Sequence, residues 1–331
     1  MDKIRVGLIG TGGMMQGHIA RALSMPNVEI TALADPSADR IETTKKRNPA
    51  LQDAAVFSDH IALLKSGLTD AVMIASPHTC HFGQIMDSFA HDNHVMCEKP
   101  MVCTIPHAHQ IIKELESNGK TFLLAYQRHF AGYIRYIRRM IQEGHLGEVQ
   151  FVSAILCQDW YRGTKGSWRQ LHSLSGGGQL NDSGSHIVDS ILWTTGLVVD
   201  SVAAYADNFD TEVDINSAVS LKFTSGAQGT ISIIGNCPGW WEDQTYVGTK
   251  GAIYYRNGKL THVNAVTGET SELVQFKDVG TPVENFIGAI RGKQEVQAPA
   301  LCGLRVIELT EAAWQSAAKD GVPVKVTRIE V

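Results

Sequence analysis

The sequence has no run of about 18 apolar residues, which is the length that a membrane-spanning helix needs. Its first residues, MDKIRVGLIGTGG, lack the apolar segment and the small-residue cleavage site of a signal peptide. We therefore expect a cytoplasmic protein with no membrane partner.

Basic patches and metal-type cysteine motifs are also missing. The 331 residues carry a formal net charge of −5, and lysine and arginine are spread along the chain, which excludes nucleic acid as the expected partner. The six cysteines form no C-x-x-C motif and match neither a zinc site nor a disulfide framework. We expect reduced, buried thiols and no metal.

What is present is a globular composition, 44% hydrophobic and 19% charged, with enough apolar mass for two cores. Over the first 125 residues, short apolar runs alternate with helical patterns, which predicts a parallel sheet with helices on both faces. The predicted strands are 4–9, 29–34, 70–75, 94–98 and 121–126.

The pattern changes in the second half. A helix is predicted over about 132–144, followed by a long strand over 148–160. Strand signals separated by turns then dominate up to a last helix at about 300–319. We predict two domains, 1–126 and 127–331, the second with a mostly antiparallel sheet.

Three glycines stand where the first strand meets the first helix. Gly10, Gly12 and Gly13 let the chain turn tightly and let its backbone approach a pyrophosphate, as in dinucleotide-binding folds. The helix N-terminus then offers N–H groups to the anion. The third glycine of the G-x-G-x-x-G pattern is replaced by Met15, so the motif is incomplete.

An acidic residue follows the second strand. Asp35 comes 23 residues after Gly12 and can accept hydrogen bonds from the ribose hydroxyls of adenosine. Its charge would repel a 2′-phosphate, and no arginine follows immediately, so the sequence favours NAD over NADP. The alternative is that Asp35 only caps the second helix.

A second cluster lies in SGGGQLNDSGSHIVD, residues 175–189. Asp182 and His186 are four residues apart, so on a helix they share one face, and Asp189 follows on much the same side. The three glycines would let the chain pass close to a cofactor or substrate before the helix starts.

Seven motifs follow one another in order: the glycine turn at 10–13, Asp35, Pro77 with His81, Glu98-Lys99-Pro100, AYQRHF at 125–130, SWRQ at 167–170 and the segment 175–189. Together they resemble the Gfo/Idh/MocA oxidoreductase family along nearly the whole chain. The resemblance implies an α/β Rossmann domain followed by an α+β domain with a large open, mostly antiparallel sheet.

The resemblance also implies roles. Lys99, often followed by a cis bond to Pro100 in relatives, would point at the nicotinamide and substrate and stabilise alkoxide charge. Asp182 would hold substrate hydroxyls and orient the catalytic group, and His186 would take the hydroxyl proton as hydride leaves the same carbon. The candidate cofactor contacts are Gly10, Gly12, Gly13, Met14, Asp35, Ser76, Pro77, His78, His81, Glu98, Lys99 and Gln127. The candidate substrate contacts are Tyr126, Arg128, Trp168, Arg169, His172 and Asp182.

Plainer interpretations stay open. Lys99 is then a solvated strand-end lysine, His186 a hydrogen-bonded core histidine, and Asp189 a carboxylate on the helix face. Two departures from the family pattern affect specificity: His78 stands where relatives often have asparagine, and QLHSL (170–174) replaces a segment that often carries Asp-Pro.

The sequence is compatible with three functions. The leading one is an NAD(H)-dependent dehydrogenase that transfers hydride between a secondary alcohol of a sugar, sugar derivative or cyclitol and nicotinamide. The second keeps NAD bound and uses transient oxidation for glycoside cleavage or elimination. The third is a non-catalytic NAD-binding regulator, against which the presence of Lys99, Asp182 and His186 argues.

The predicted open sheet needs cover, since a large exposed face usually marks an interface. Relatives are dimers or tetramers, so we expect a homodimer or homotetramer. Trp240 and Trp241 resemble exposed loop aromatics that either stack on a sugar or fill a subunit interface.

Overall fold

The first half of the chain folds around a parallel sheet. The computed structural model describes residues 3–331. Six strands lie in the order β3-β2-β1-β4-β5-β6, and every neighbouring pair is parallel. Their bounds are β1 Ile4–Ile9, β2 Val28–Ala34, β3 Ala55–Phe57, β4 Ala71–Ile74, β5 His94–Cys97 and β6 Phe122–Leu124. The structure adds β3 to the predicted strands; it spans three residues, too few to show a period.

Helices alternate with these strands. Their bounds are α1 Gly13–Leu23, α2 Ala38–Arg47, α3 His60–Lys65, α4 His81–Ala90 and α5 Ile105–Asn118. All four residues of β4 are buried, as expected for a strand that is covered on both faces of a parallel sheet. Leu8, Leu33 and Met73 from three strands pack with Ile19 of α1 in one core.

The second half builds a nine-stranded sheet in the order β14-β13-β12-β11-β7-β10-β9-β8-β15. All neighbouring pairs are antiparallel except β7 with β10. The bounds are β7 Val149–Asp159, β8 Val199–Asp207, β9 Asn216–Phe223, β10 Gln228–Ile234, β11 Asn236–Gly248, β12 Gly251–Arg256, β13 Lys259–Asn264, β14 Thr270–Leu273 and β15 Val324–Lys325. Burial alternates along β9, where Val219, Leu221 and Phe223 are buried and the residues between them exposed.

Helices cover part of this sheet. Their bounds are α6 Gly132–Gln142, α7 Trp160–Gly163, α8 His172–Ser175, α9 Gly184–Thr195 and α11 Ala300–Ala317. Helix α9 packs against α6, β7 and β10, which fixes the segment that carries His186. The predicted fold class, a Rossmann sheet and then a mostly antiparallel sheet with helices, is confirmed.

The chain divides into two compact units. The first comprises residues through Val102, Pro106–Tyr126 and Gly280–Gly303; the second comprises Cys103–Ile105, Gln127–Val279 and Leu304–Val331. Residues 280–303, which the sequence assigns to the second domain, thus belong to the first unit. The reason is packing: helix α10, Pro282–Ile290, lies against α1, and its Val283, Phe286 and Ile287 join the core of the parallel sheet.

Two expectations drawn from absences can be compared with the described part of the chain. None of the helices there is long and apolar enough to cross a membrane. Within residues 3–331, no disulfide bond joins any of the six cysteines, but only Cys97 and Cys157 are buried, so the expectation of buried thiols is wrong for the other four.

The placement of α10 can be tested by stability. Phe286 is fully buried, so Phe286→Ala should lower the free energy of unfolding by about 3–5 kcal/mol. Hydrogen–deuterium exchange should then accelerate in β1 and β4, whose residues share its core. Val266→Ala, at a side chain that is 74% exposed, is the control. Acceleration confined to β7–β15 would contradict the assignment.

Candidate active site

The glycine turn of the first unit has the geometry that a dinucleotide requires. Gly10 has φ +81°, and a Cβ there would lie 2.9 Å from backbone atoms of Ala75. A Cβ on Gly12 would instead meet only the Arg40 guanidinium, at 3.6 Å, and one on Gly13 would meet nothing within 4 Å. Gly10 is therefore demanded by the fold, whereas Gly12 and Gly13 leave open space before the N-terminus of α1.

Asp35 ties the end of β2 to this turn. Its Oδ2 accepts hydrogen bonds from the backbone N–H of Thr11 at 2.8 Å and from Thr11 Oγ1 at 3.0 Å. Its Oδ1 accepts from the N–H of Ser37 at 2.9 Å. The helix-cap interpretation fails, because Ser37 is the residue that caps α2, through its own side chain. The buried carboxylate thus orders the turn and stands at its edge.

His81 links two strand-end loops. It is fully buried, with Nδ1 2.8 Å from the carbonyl oxygen of Pro100 and Nε2 3.0 Å from that of Ser76. Burial lowers the pKa of His81, although the two carbonyl contacts act in the opposite direction. The structure therefore gives this expected cofactor contact a bridging role. The bond from Lys99 to Pro100 is cis, as the sequence resemblance led us to expect.

Glu98 is held by a histidine that the sequence analysis does not single out. Its Oε1 lies 2.7 Å from Nε2 of His18 on α1, and its Oε2 accepts from the N–H of Lys99 at 3.2 Å. Burial raises the pKa of Glu98, but the His18 hydrogen bond and the charges of His18 and Lys99 outweigh burial and bring the pKa below its ordinary value. The pair fixes the backbone that presents the half-buried Lys99.

The other candidates of the first unit differ in exposure. Met14 is 48% exposed on the first turn of α1, which puts it beside the open space at Gly13. Pro77 precedes a short 3-10 turn, His78–Cys80, in which His78 is buried. Tyr126 is fully buried at the end of the parallel sheet.

In the second unit, Asp182 precedes its helix rather than lying on it. Helix α9 begins at Gly184, and Asp182 sits in the turn before it, where its N–H donates to Gly178 O at 3.0 Å. Asp182 and His186 are therefore not two positions on one helix, because α9 begins at Gly184, between them. His186 lies in the first turn of α9 and is half-buried.

The Asp182 carboxylate is buried and firmly held. Its Oδ2 accepts from Trp160 Nε1 at 2.8 Å and from Arg169 Nε at 3.0 Å. The Arg169 guanidinium also lies 4.5 Å from the centre of the Trp168 ring. The SWRQ motif thus supports Asp182 directly, and Trp160, the first residue of α7, is the partner that no local pattern reveals.

Asp189 has a clear partner. Its Oδ2 lies 2.8 Å from Nε2 of His129, and both side chains are buried. The His129 ring stacks on Trp193, with ring centres 4.1 Å apart. Asp189 therefore ties α9 to the turn Gln127–Phe130, which begins with the candidate cofactor contact Gln127.

Arg128, a candidate substrate contact, is engaged within the unit. Its guanidinium forms a two-pronged ion pair with the buried Glu242. Burial lowers the pKa of Arg128, but Tyr133 and Glu242 outweigh it, so the pKa stays above its ordinary value. The hydrogen bonds continue beyond Glu242: the side-chain amide of Gln244 donates to Glu242, and the Tyr246 hydroxyl donates to Gln244. This network positions β11 and leaves the guanidinium committed to protein atoms.

The remaining candidates lie at the surface. His172 is exposed at the start of α8, where its N–H donates to Glu212 Oε2 at 2.7 Å. Trp240 and Trp241 are 55% and 46% exposed, and they lie on strand β11 rather than in a loop.

Profiles of one family match both halves of the chain. The profile described as an oxidoreductase family with an NAD-binding Rossmann fold matches residues 4–126, and that of the Gfo/Idh/MocA C-terminal domain matches residues 134–254. The chain belongs to the Gfo/Idh/MocA oxidoreductase family. Its first unit is accordingly an NAD-binding Rossmann domain, and the open space at Gly12 and Gly13 beside Asp35 fits that cofactor.

The relatives of this chain share about a quarter of their residues with it and differ in how much of it they cover. The rhizopine catabolism protein MocA of Rhizobium meliloti is 27% identical over 97% of each chain. The D-glucoside 3-dehydrogenase of Escherichia coli (strain K12) is 27% identical over 61% of this chain and 57% of its own. Levoglucosan dehydrogenase, solved with NADH and L-sorbose, has a TM-score of 0.89 at 20% identity, covering 99% of this chain and 100% of its own; this likeness shows a shared fold.

The two kinds of glycine in the turn make a matched pair of variants. Gly12→Ala should weaken NADH binding about tenfold or more, because its methyl group would occupy the space open to the pyrophosphate, while thermal stability stays close to that of the wild type. Gly10→Ala should instead lower the melting temperature, because of its positive φ and the Ala75 backbone. Fluorescence titration with NADH and thermal unfolding measure both. Wild-type NADH affinity in Gly12→Ala would contradict this location of the pyrophosphate.

Proposed function

We propose that this protein is an NAD-dependent dehydrogenase that oxidises a secondary alcohol of a sugar, sugar derivative or cyclitol. The observation that carries the proposal is the Asp182–His186 pair: a buried carboxylate held by Trp160 and Arg169, and a half-buried imidazole four residues later in the chain. In a chain of an NAD-binding oxidoreductase family, such a pair suits removal of a hydroxyl proton.

Each residue has a separate task in this proposal. When bound, NAD supplies the hydride acceptor. His186 takes the hydroxyl proton, since imidazoles ionise in the neutral range and exchange protons readily near pH 7. Lys99 stabilises the negative charge that develops on the substrate oxygen.

Asp182 acts on the substrate rather than on the proton. A carboxylate accepts hydrogen bonds from neighbouring hydroxyl groups, and a polyol offers several of them. Because Trp160 and Arg169 already hold Oδ2, the carboxylate keeps its direction without reorganising when the substrate binds. Such preorganisation favours a hydroxyl-rich substrate over an apolar alcohol.

The substrate class also draws support from the relatives. Two of them are named as dehydrogenases of D-glucosides and of levoglucosan, and inositol 2-dehydrogenase of Rubrobacter xylanophilus is a third, 26% identical over 49% of this chain. These names favour carbohydrates and cyclitols as the first compounds to test.

Variants at the two proton-handling positions test the proposal. A screen of inositols, aldoses and sugar acids first identifies a substrate of the wild type. With that substrate, Lys99→Ala and His186→Ala should each lower kcat by about 10²–10⁴-fold, while NADH affinity stays within about twofold of wild type. Absorbance of reduced nicotinamide reports turnover. The matched controls are Lys259→Ala and His145→Ala, at exposed positions. Full activity in both Lys99→Ala and His186→Ala would refute these roles.

The same screen separates the competing functions. A dehydrogenase produces NADH in proportion to oxidised substrate. An enzyme that keeps NAD bound and cleaves glycosides through transient oxidation would yield product, seen by mass spectrometry, with no net NADH. Tight NADH binding without turnover of any polyol or glycoside would favour a regulator and count against the proposal.

A further inference from the structure

The glycine run 176–178 approaches protein atoms closely. Gly176 has φ +65° and ends α8 in the left-handed conformation that glycine favours. A Cβ on Gly177 would overlap the Trp314 ring, and a Cβ on Gly178 would overlap the backbone of Asp214. Glycine is therefore needed at 177 and 178 so that the segment before Asp182 can pack closely against Asp214 and Trp314.

Asp214 fastens this segment through both carboxylate oxygens. Its Oδ1 accepts from the N–H of Gly178 at 2.9 Å and from Trp314 Nε1 at 2.9 Å. Its Oδ2 accepts from the N–H of Leu180 at 2.8 Å. Its backbone oxygen accepts from the N–H of Gln179 at 2.7 Å. Three consecutive peptide N–H groups are thus bound by one residue.

Gly178 and Gln179 in turn hold Asp182 and the start of α9 by hydrogen bonds. Gly178 O accepts the N–H of Asp182 at 3.0 Å, and Gln179 O accepts the N–H of Gly184, the first residue of α9, at 2.8 Å. A displacement of Gly178 or Gln179 would therefore move both Asp182 and the start of the helix that carries His186.

The contacts of Asp214 use both of its carboxylate oxygens as acceptors. The side chain is 5% exposed, and burial raises its pKa above the ordinary value although its N–H donors act in the opposite direction. An asparagine would place an NH₂ group either against the donors to Oδ2, which are the N–H of Leu180 and the hydroxyl of Ser217, or against the donors to Oδ1, which are Gly178 and Trp314. One or two buried donors would then lose their acceptor. Because an unpaired buried donor is costly, the backbone of residues 178–180 would shift.

We infer that Asp214 is a positioning residue for the reaction, which sets the place of Asp182 and His186 through the backbone of residues 178–180. This inference rests on the proposed function for its kinetic readout only. It adds a residue that lies outside the seven sequence motifs and does not itself touch the substrate.

The test compares Asp214→Asn with Asp200→Asn, whose carboxylate lies on β8 and pairs with the exposed Lys325. In Asp214→Asn, kcat should fall about 10–100-fold, as expected when catalytic groups move by up to about 1 Å, with NADH affinity within about twofold of wild type. The isotope effect with substrate deuterated at the reacting carbon should increase, because hydride transfer becomes slower than product release. Asp200→Asn should leave both quantities unchanged.

A second readout does not depend on turnover. The imidazole signals of His186, assigned by comparison with His186→Ala, should shift in NMR spectra of Asp214→Asn and not in those of Asp200→Asn. If Asp214→Asn fails to fold, Trp314→Phe, which removes one donor to Oδ1, should shift the same signals by a smaller amount.

The outcomes separate the two proposals. No turnover by the wild type refutes the proposed function, whereas the His186 signals still decide on Asp214. A lower melting temperature in Asp214→Asn with wild-type kcat and unchanged His186 signals would overturn the positioning role, as would unchanged His186 signals in a folded Trp314→Phe when Asp214→Asn does not fold.

Discussion

Buried carboxylates that accept backbone N–H groups hold the two loops on which a reaction would depend. In the first unit, Asp35 binds the N–H groups of Thr11 and Ser37 and thereby orders the glycine turn. In the second unit, Asp214 binds those of Gly178 and Leu180. Glycine-rich loops lack side chains that could pin them, so an external acceptor has to supply the order, and a charged one binds N–H groups about twice as strongly as a neutral one.

These hydrogen bonds also limit how many further hydrogen bonds the carboxylates can accept from a ligand. A carboxylate offers about four lone-pair directions, and Asp35 uses three of them, two at Oδ2 and one at Oδ1. One ribose hydroxyl can therefore bind Oδ1 directly, while a second requires Thr11 Oγ1 to rotate away from Oδ2. Thr11 therefore competes with a ribose hydroxyl for Oδ2 of Asp35.

The fold follows from the sequence where the signal is local. Strand β1 is visible as a short apolar run and β9 as an apolar alternation, because alternate residues of a strand face the same side of the sheet. Helix α10 cannot be assigned to its unit in this way, since its partner α1 lies some 260 residues earlier in the chain. The start of α9 at Gly184 is equally hidden, because Asp214, 30 residues later, holds the preceding segment in a turn.

In the candidate site, too, the sequence predicts what is local and misses what depends on residues distant in the chain. Sequence motifs identify residue types such as His81, Arg128 and Asp189, but their partners Pro100, Glu242 and His129 come from other elements. His81, Arg128 and Asp189 are buried and bonded to protein groups, but so is Asp182, so burial with hydrogen bonds does not by itself separate residues that serve the fold from residues that serve a ligand. Lys99 and His186 are half-buried, and in the proposed function they are the two groups that act on the substrate oxygen.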